Sequence, residues 1–122
     1  MTPERYEALA GLAGSWLEER RCAPLDLDED SGREERAVYV VVNHDGDACY
    51  CGRTRPTRSL RRGAAATRLR QHTAGAGSKR EEWRAYWVLP LRPSTPDPIV
   101  DALERTVAAR LGLPLQNRRW RR

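Results

Sequence analysis

The chain reads as a small α+β domain, a three-stranded antiparallel sheet flanked by helices with an extra helix at the amino terminus. Three observations predict it. Apolar strings lie on either side of an Asp45-Gly46 turn signal, a third string follows at 84–91, and apolar residues recur at helical spacing at both ends of the chain. At 122 residues the chain suits one domain better than two.

The elements follow in order. Tyr6, Leu9, Leu12, Ala13, Trp16 and Leu17 recur at helical spacing with charges between them, predicting an amphipathic helix over 3–20. Cys22 to Arg36 carries Pro, Gly and many charges on thin apolar content, so it reads as a solvated, partly disordered connector. Residues 1–36 thus form a helix plus an acidic connector, and 37–122 form the main body. In the hairpin over 37–52, a two-residue loop at Asp45-Gly46 sets His44 opposite Asp47, Val41 opposite Tyr50 and Tyr39 opposite Gly52. Tyr39 and Tyr50 become diagonal neighbours on one face. Val38, Val40, Val42, Cys49 and Cys51 form an apolar set on the other. Two roles stand for the tyrosines: packing alone, which strands favour, or a functional surface.

A basic, Pro-containing stretch from Arg53 to Gly63 leads into a helix at Ala64–His72, ended by Gly75 and Gly77. Arg84 to Leu91 is the third strand, with Pro90 pointing to a sheet edge or a strand end. Asp97 then reads as an N-cap, Pro98 as the first helical residue and Asp101 as the partner in a capping-box pattern. The helix over 98–111 carries the stripe Ile99, Val100, Leu103, Val107 and Leu111 and stops at Gly112 and Pro114.

Formal net charge is +5, but residues 1–36 hold ten acids against five arginines, while 37–122 hold seventeen basic residues against seven acids. A cationic body of this kind suits a polyanion, and nucleic acid comes ahead of an acidic membrane because no lipid-directed amphipathic helix accompanies it. Sixteen of those seventeen basic residues are arginine, which grips phosphate with two parallel bonds, although a biased genome gives the same preference. Cys22, Cys49 and Cys51 have neither zinc-site nor disulfide-scaffold spacing, so free thiols in a reducing cytoplasm are expected. No apolar run reaches membrane-spanning length, and the acidic amino terminus is unlike a signal peptide.

Two places carry chemistry. Glu104 lies at the margin of the last helix's apolar stripe, where a carboxylate needs a cation beside it: a metal ion, or an arginine in a rim salt bridge, with Arg105 or the neighbours of Arg110 as the expected partners. Arg68 and His72 stand one turn apart on the middle helix and project from one side, as part of a basic face or of a site.

Together these residues resemble the GIY-YIG nuclease domain. Its first triplet corresponds to Ala37-Val38-Tyr39 and its second to Tyr50-Cys51-Gly52, followed by Arg53-Thr54. Its R-x-x-x-H motif corresponds to Arg68–His72, its acid-bearing helix to Asp101–Arg105 and its late Asn to Asn117. Ala37 replaces a Gly, Cys51 replaces an Ile, and the stretch from Thr54 to Arg68 is longer than usual, which lets Arg61 or Arg62 compete for the motif arginine. Only Arg68 keeps the four-residue spacing to His72. The resemblance spans 37–117 and implies a metal-dependent endonuclease that cleaves DNA to 5′-phosphate and 3′-hydroxyl ends. It implies Glu104 as ligand of one divalent ion, Mg²⁺ first with Mn²⁺ as substitute, and Tyr39 as general base, its phenol lowered by about 3 pH units by nearby cations. Tyr50 would bond the phosphate or water, Arg68 would clamp the phosphate and His72 would carry or position a proton. Gly52 and Asn117 would support the site.

Arg53, Arg55, Arg58, Arg61, Arg62, Lys79, Arg80, Arg118 and Arg119, with Arg121 and Arg122, are the expected phosphate contacts. Trp120 among them either stacks on a base or covers an apolar edge. RNA fits the same charge. Two other readings remain: a catalytically weak or inactive nucleic-acid-binding module acting with a partner, and one half of a toxin-antidote or mobile-element system. In the latter, residues 1–36 mask the basic face. Those residues could equally pack on the body or recruit a protein partner.

Overall fold

A computed structural model describes residues 1–54, 63–74 and 82–113, with the side chains of 72–74 left aside. Among these residues it is an α+β fold with three helices and one four-stranded antiparallel sheet. The helices are α1 (Pro3–Ala13), α2 (Ala64–Ala74) and α3 (Asp97–Leu111), and the strands are β1 (Leu25–Asp26), β2 (Arg36–Val42), β3 (Ala48–Arg53) and β4 (Ala85–Leu91). The spatial order is β1-β4-β2-β3. The sheet therefore has one strand more than the three expected. Only two residues of the charged connector, Leu25 and Asp26, make it, pairing with Tyr86 and Ala85 on the open edge of β4. So short a strand has no period of its own to read.

β2 is the centre. It pairs with β4 along all seven of its residues and with β3 on its other side, and Ala37 to Val42 are all buried. One face of the sheet presents Val38, Val40, Val42, Cys51, Trp87, Leu89 and Leu91 to α1 and α3. The opposite face presents Ala37, Tyr39, Val41, Tyr50, Tyr86 and Val88 to Ala65 and Leu69 of α2 and to Trp83. Helices on both faces explain why β2 is a continuous apolar run rather than an alternation.

The hairpin departs from its expected loop. Val41↔Tyr50, Val40↔Cys51 and Tyr39↔Gly52 pair as expected, but Val42 pairs with Ala48, so Cys49 is the extra residue of a bulge. The turn spans Asn43–Asp47 instead of two residues. Gly46 N donates to Asn43 O at 3.0 Å and Gly46 takes φ +81°, while Asn43 Oδ1 accepts from the amides of Asp45 and Asp47. His44 therefore does not face Asp47, and the bulge turns Cys49 to the tyrosine face instead of the expected apolar set.

Helix α1 is capped by Thr2 Oγ1 and ends seven residues short of the expected limit, because Gly14 adopts φ +57° and a 3₁₀ turn, Gly14–Trp16, redirects the chain. Leu17 then bridges to Leu91. Glu18 N donates to Pro90 O at 2.8 Å, so the imide nitrogen of Pro90 faces away from β2 and costs no ladder bond, at the strand end its sequence suggested. At α3 the cap position is Pro96 with no side-chain cap. Asp97, expected as N-cap, is the first helical residue and pairs with Arg36, while Asp101 turns to Arg105 and Arg53 instead of closing a capping box.

The connector is largely exposed, as expected, but it also has a structural role. Ser31 and Glu34 are buried, and the segment closes the amino end of α2. Asp30 Oδ1 accepts from Gly63 N at 2.9 Å, Glu34 O from Ala64 N at 2.9 Å, Glu34 Oε2 from Ala65 N at 3.1 Å and Ser31 Oγ from Ala66 N at 3.0 Å. Four first-turn amides thus find acceptors, and Glu34 adds negative charge where the helix dipole favours it. Arg21 Nη1 pairs with Glu34 Oε1 at 3.1 Å. Gly63 is needed for closeness, since a Cβ there would sit 2.2 Å from Glu34 Oε2 and Ser31 Oγ. Glu34→Ala keeps the backbone acceptor of Ala64 N but removes the Oε2 acceptor of Ala65 N and Ser31 Oγ and the buried partner of Arg21. It should cost about 2–4 kcal/mol in urea unfolding, against about zero for an exposed connector.

Candidate active site at the edge of β3

Tyr39 and Gly52 are directly opposed on β2 and β3, so the phenol lies over a residue with no side chain. A Cβ at Gly52 would stand 2.6 Å from Tyr39 Oη and 3.0 Å from Tyr50 Cε2. Only glycine leaves room for the pair. Tyr39 and Tyr50 are diagonal neighbours with centroids 6.2 Å apart, and Trp83 packs on Tyr50 at 5.0 Å. Because β3 is the sheet's edge, the Tyr39 hydroxyl passing over Gly52 lies toward that rim.

Each neighbouring element brings one polar group there. Helix α3 supplies Glu104, 3 % exposed, and its backbone is tied to β3 by Cys51 Sγ, which donates to Glu104 O at 3.8 Å. Helix α2 supplies Arg68, whose Nη1 donates to Gln71 Oε1 at 3.0 Å. Arg53, the last residue of β3, holds Nε at 3.5 Å from Glu104 Oε1 and 3.7 Å from Asp101 Oδ1, while Arg105 Nε lies 2.9 Å from Asp101 Oδ2. Thr54 fixes the strand end behind them, its Oγ1 accepting from Ala37 N at 3.0 Å.

Tyr39 Oη, Arg68 Nε and Glu104 Oε1 are the buried side-chain polar atoms without a hydrogen-bond partner among the described residues. Buried polar groups are nearly always satisfied, and each orphan costs about 1–3 kcal/mol. These three atoms come from three elements and lie within electrostatic reach of one another, which makes this rim the candidate site.

Burial decides the ionisation states. It raises Tyr39 well above the usual phenol range and pushes Tyr50 up to about 12, with Arg68 opposing both shifts. The phenol expected to be lowered by Arg68 together with a bound cation is raised here with Arg68 alone, because one guanidinium does not offset the desolvation. Burial also raises Glu104 above the usual carboxylate range, against Arg53, Arg105 and Arg68.

Among the described residues no three His, Cys, Asp or Glu side chains cluster as a metal cage. The donors present suit a magnesium-like ion nonetheless, because such ions take one or two carboxylates and complete their shell with water and phosphate oxygens. Glu104 Oε1 is an orphaned buried oxygen of this sort, and Asp101 Oδ1 faces the same guanidinium.

The structure thus brings together Tyr39, Tyr50, Gly52, Arg53, Arg68 and Glu104. His72 follows Arg68 by one turn in α2, but its side chain lies outside the described residues, as do Arg55, Arg58, Arg61, Arg62, Lys79, Arg80, Asn117, Arg118, Arg119, Trp120, Arg121 and Arg122. Asp101, Trp83 and the capping pair Ser31 and Glu34 were not anticipated as parts or supports of the site. Asp101 could have been found from its i, i+3 spacing to Glu104, whereas the other three depend on long-range contacts.

Two outcomes follow from the packing. A phenol that holds its proton more tightly in the folded state loses stability as pH rises through the unfolded value near 10, so stability should decline between about pH 10 and 12 and less so in Tyr50→Phe. Gly52→Ala should expel the phenol and return its absorbance titration toward the ordinary value near 10. No family model, curated protein or solved structure matches the chain.

Proposed function

We propose that the chain is a metal-dependent DNA endonuclease of GIY-YIG type, with Tyr39, Tyr50, Arg68, His72 and Glu104 as its catalytic residues. The observation that carries this reading is the convergence of three orphaned polar atoms, Tyr39 Oη, Arg68 Nε and Glu104 Oε1, at one rim of the sheet. Residues that share a motif order in sequence and merely packed apart would support no chemistry. Here they come from β2, α2 and α3, and the charges of Arg68 and Glu104 act in opposite directions on the phenol of Tyr39.

Hydrolysis needs an activated water, a neutralised phosphate and a stabilised leaving oxygen. Arg68 would hold a non-bridging phosphate oxygen through its unpartnered Nε–H, and Tyr50 would orient the same phosphate or the water. Tyr39 Oη would take the proton of the attacking water, provided the site gains enough positive charge to ionise a phenol that burial keeps neutral. Glu104 would hold a divalent ion, whose positive charge would favour the phenolate and screen the phosphate. Attack at phosphorus with loss of the 3′ oxygen leaves a 5′-phosphate and a 3′-hydroxyl. The neutral phenol also favours a second reading, a binding module whose catalysis is weak, and the same assay separates the two.

Incubation of the full chain with labelled duplex, nicked, flapped and single-stranded DNA and with RNA, with and without Mg²⁺, tests the activity. Glu104→Gln should lower the cleavage rate at least about a hundredfold with DNA binding retained. Tyr39→Phe should lose cleavage to a similar degree while unfolding free energy changes by no more than about 1 kcal/mol, since it deletes an unsatisfied hydroxyl. Cleavage unchanged in Glu104→Gln would refute the nuclease; absence of Mg²⁺-dependent cleavage from wild type leaves the binding module.

A further inference from the structure

Among the described residues Arg53 is the only side chain ion-paired with both Glu104 and Asp101. Its placement is loose. The distances of 3.5 and 3.7 Å exceed the roughly 2.8 Å of a charge-assisted hydrogen bond, and Glu104 Oε1 has no hydrogen-bond partner among the described residues. A guanidinium set back in this way balances the charge of two carboxylates without saturating their oxygens. It cannot leave by losing a proton, because arginine stays charged in proteins; it can leave only by moving. Arg53 is able to move, since it ends the edge strand and its side chain is 28 % exposed, against 4 % for that of Glu104.

A divalent cation held by the same two carboxylates would share them with that guanidinium, and like charges around common ligands repel in a partly buried site. We infer that Arg53 is an exchangeable counter-ion: it occupies the cation's side of Glu104 and Asp101, and loading the carboxylates with a divalent ion releases the guanidinium to the phosphate backbone of the substrate. This rests on the reading of Glu104 as the metal-holding residue and adds to it a second carboxylate, Asp101, and a built-in competitor. The competition is reciprocal: whatever Arg53 takes from cation affinity, the cation takes from the Arg53 ion pairs. The device would keep an isolated, under-neutralised carboxylate pair from collecting metal where no phosphate is present to receive the displaced arginine.

Calorimetric titration of Mn²⁺ into the full chain tests this without relying on cleavage, each variant first checked for folding by circular dichroism. Arg53→Gln should bind Mn²⁺ at least about tenfold more tightly than wild type, a modest fraction of the repulsion expected between like charges around common ligands. Asp101→Asn should bind several-fold more weakly, and Glu104→Gln should lose the site. If Arg53→Gln binds no more tightly than wild type while Glu104→Gln abolishes binding, the counter-ion inference fails and the metal reading stands. If Glu104→Gln binds Mn²⁺ as wild type does, both fail. Should Arg53→Gln not fold, the arginine Nε–H resonance missing from a spectrum of Arg53→Lys identifies Arg53 in wild type. That resonance should move as Mg²⁺ saturates the protein, and a resonance that stays in place overturns the exchange.

Discussion

A strand with no solvent face governs this molecule. β2 is covered by α1 and α3 on one side and by α2 on the other, and its residues from Ala37 to Val42 are buried without exception. Tyr39 on such a strand has no way to reach water by rotating outward. Its hydroxyl passes over Gly52, toward the edge of β3, and the absence of a Cβ at that position leaves it the room. The packing of the core and the geometry of the site are thus one constraint: the apolar layers hold the ring, and a glycine on the neighbouring strand aims the oxygen.

The electrostatics of the rim follow from the same burial. Desolvation keeps the phenols protonated and raises Glu104, and the arginines present offset this only in part. Orphaned polar atoms lower stability, so a fold that retains three of them at one point departs from what packing alone selects. Elsewhere among the described residues, buried polar groups find partners. Glu34, 1 % exposed, is bonded to Ser31, Arg21 and the first turn of α2, and Tyr6 Oη both donates to Val88 O and accepts from Arg21 N. The contrast between these two kinds of buried polar cluster distinguishes structural support from the candidate site.

The acidic amino-terminal segment belongs to that support. α1 packs on the face shared with α3, β1 extends the sheet, and residues 30–34 terminate the helix that carries Arg68. Its carboxylates therefore do structural work at a helix dipole as well as contributing to the charge contrast with the basic body. No helix among the described residues is long and apolar enough to cross a membrane.

Local patterns were legible where a period or a turn residue encodes them. The α+β class, the register of Tyr39 with Gly52 and Val41 with Tyr50, and the apolar stripe of α3 all follow from spacing, because side chains on strands and helices repeat at fixed intervals. The marginal place of Glu104 on that stripe was readable in the same way, as was its need for a cation, met here by Arg53. Tertiary structure alone decided the rest. The bulge at Cys49, the strand at Leu25–Asp26, the caps from Ser31 and Glu34 and the stacking of Trp83 on Tyr50 each join residues far apart or depend on a neighbour's open edge. The protonation of Tyr39 belongs with them, since sequence reveals which charges exist but not how much water is excluded around a phenol, and here the exclusion outweighs the charge.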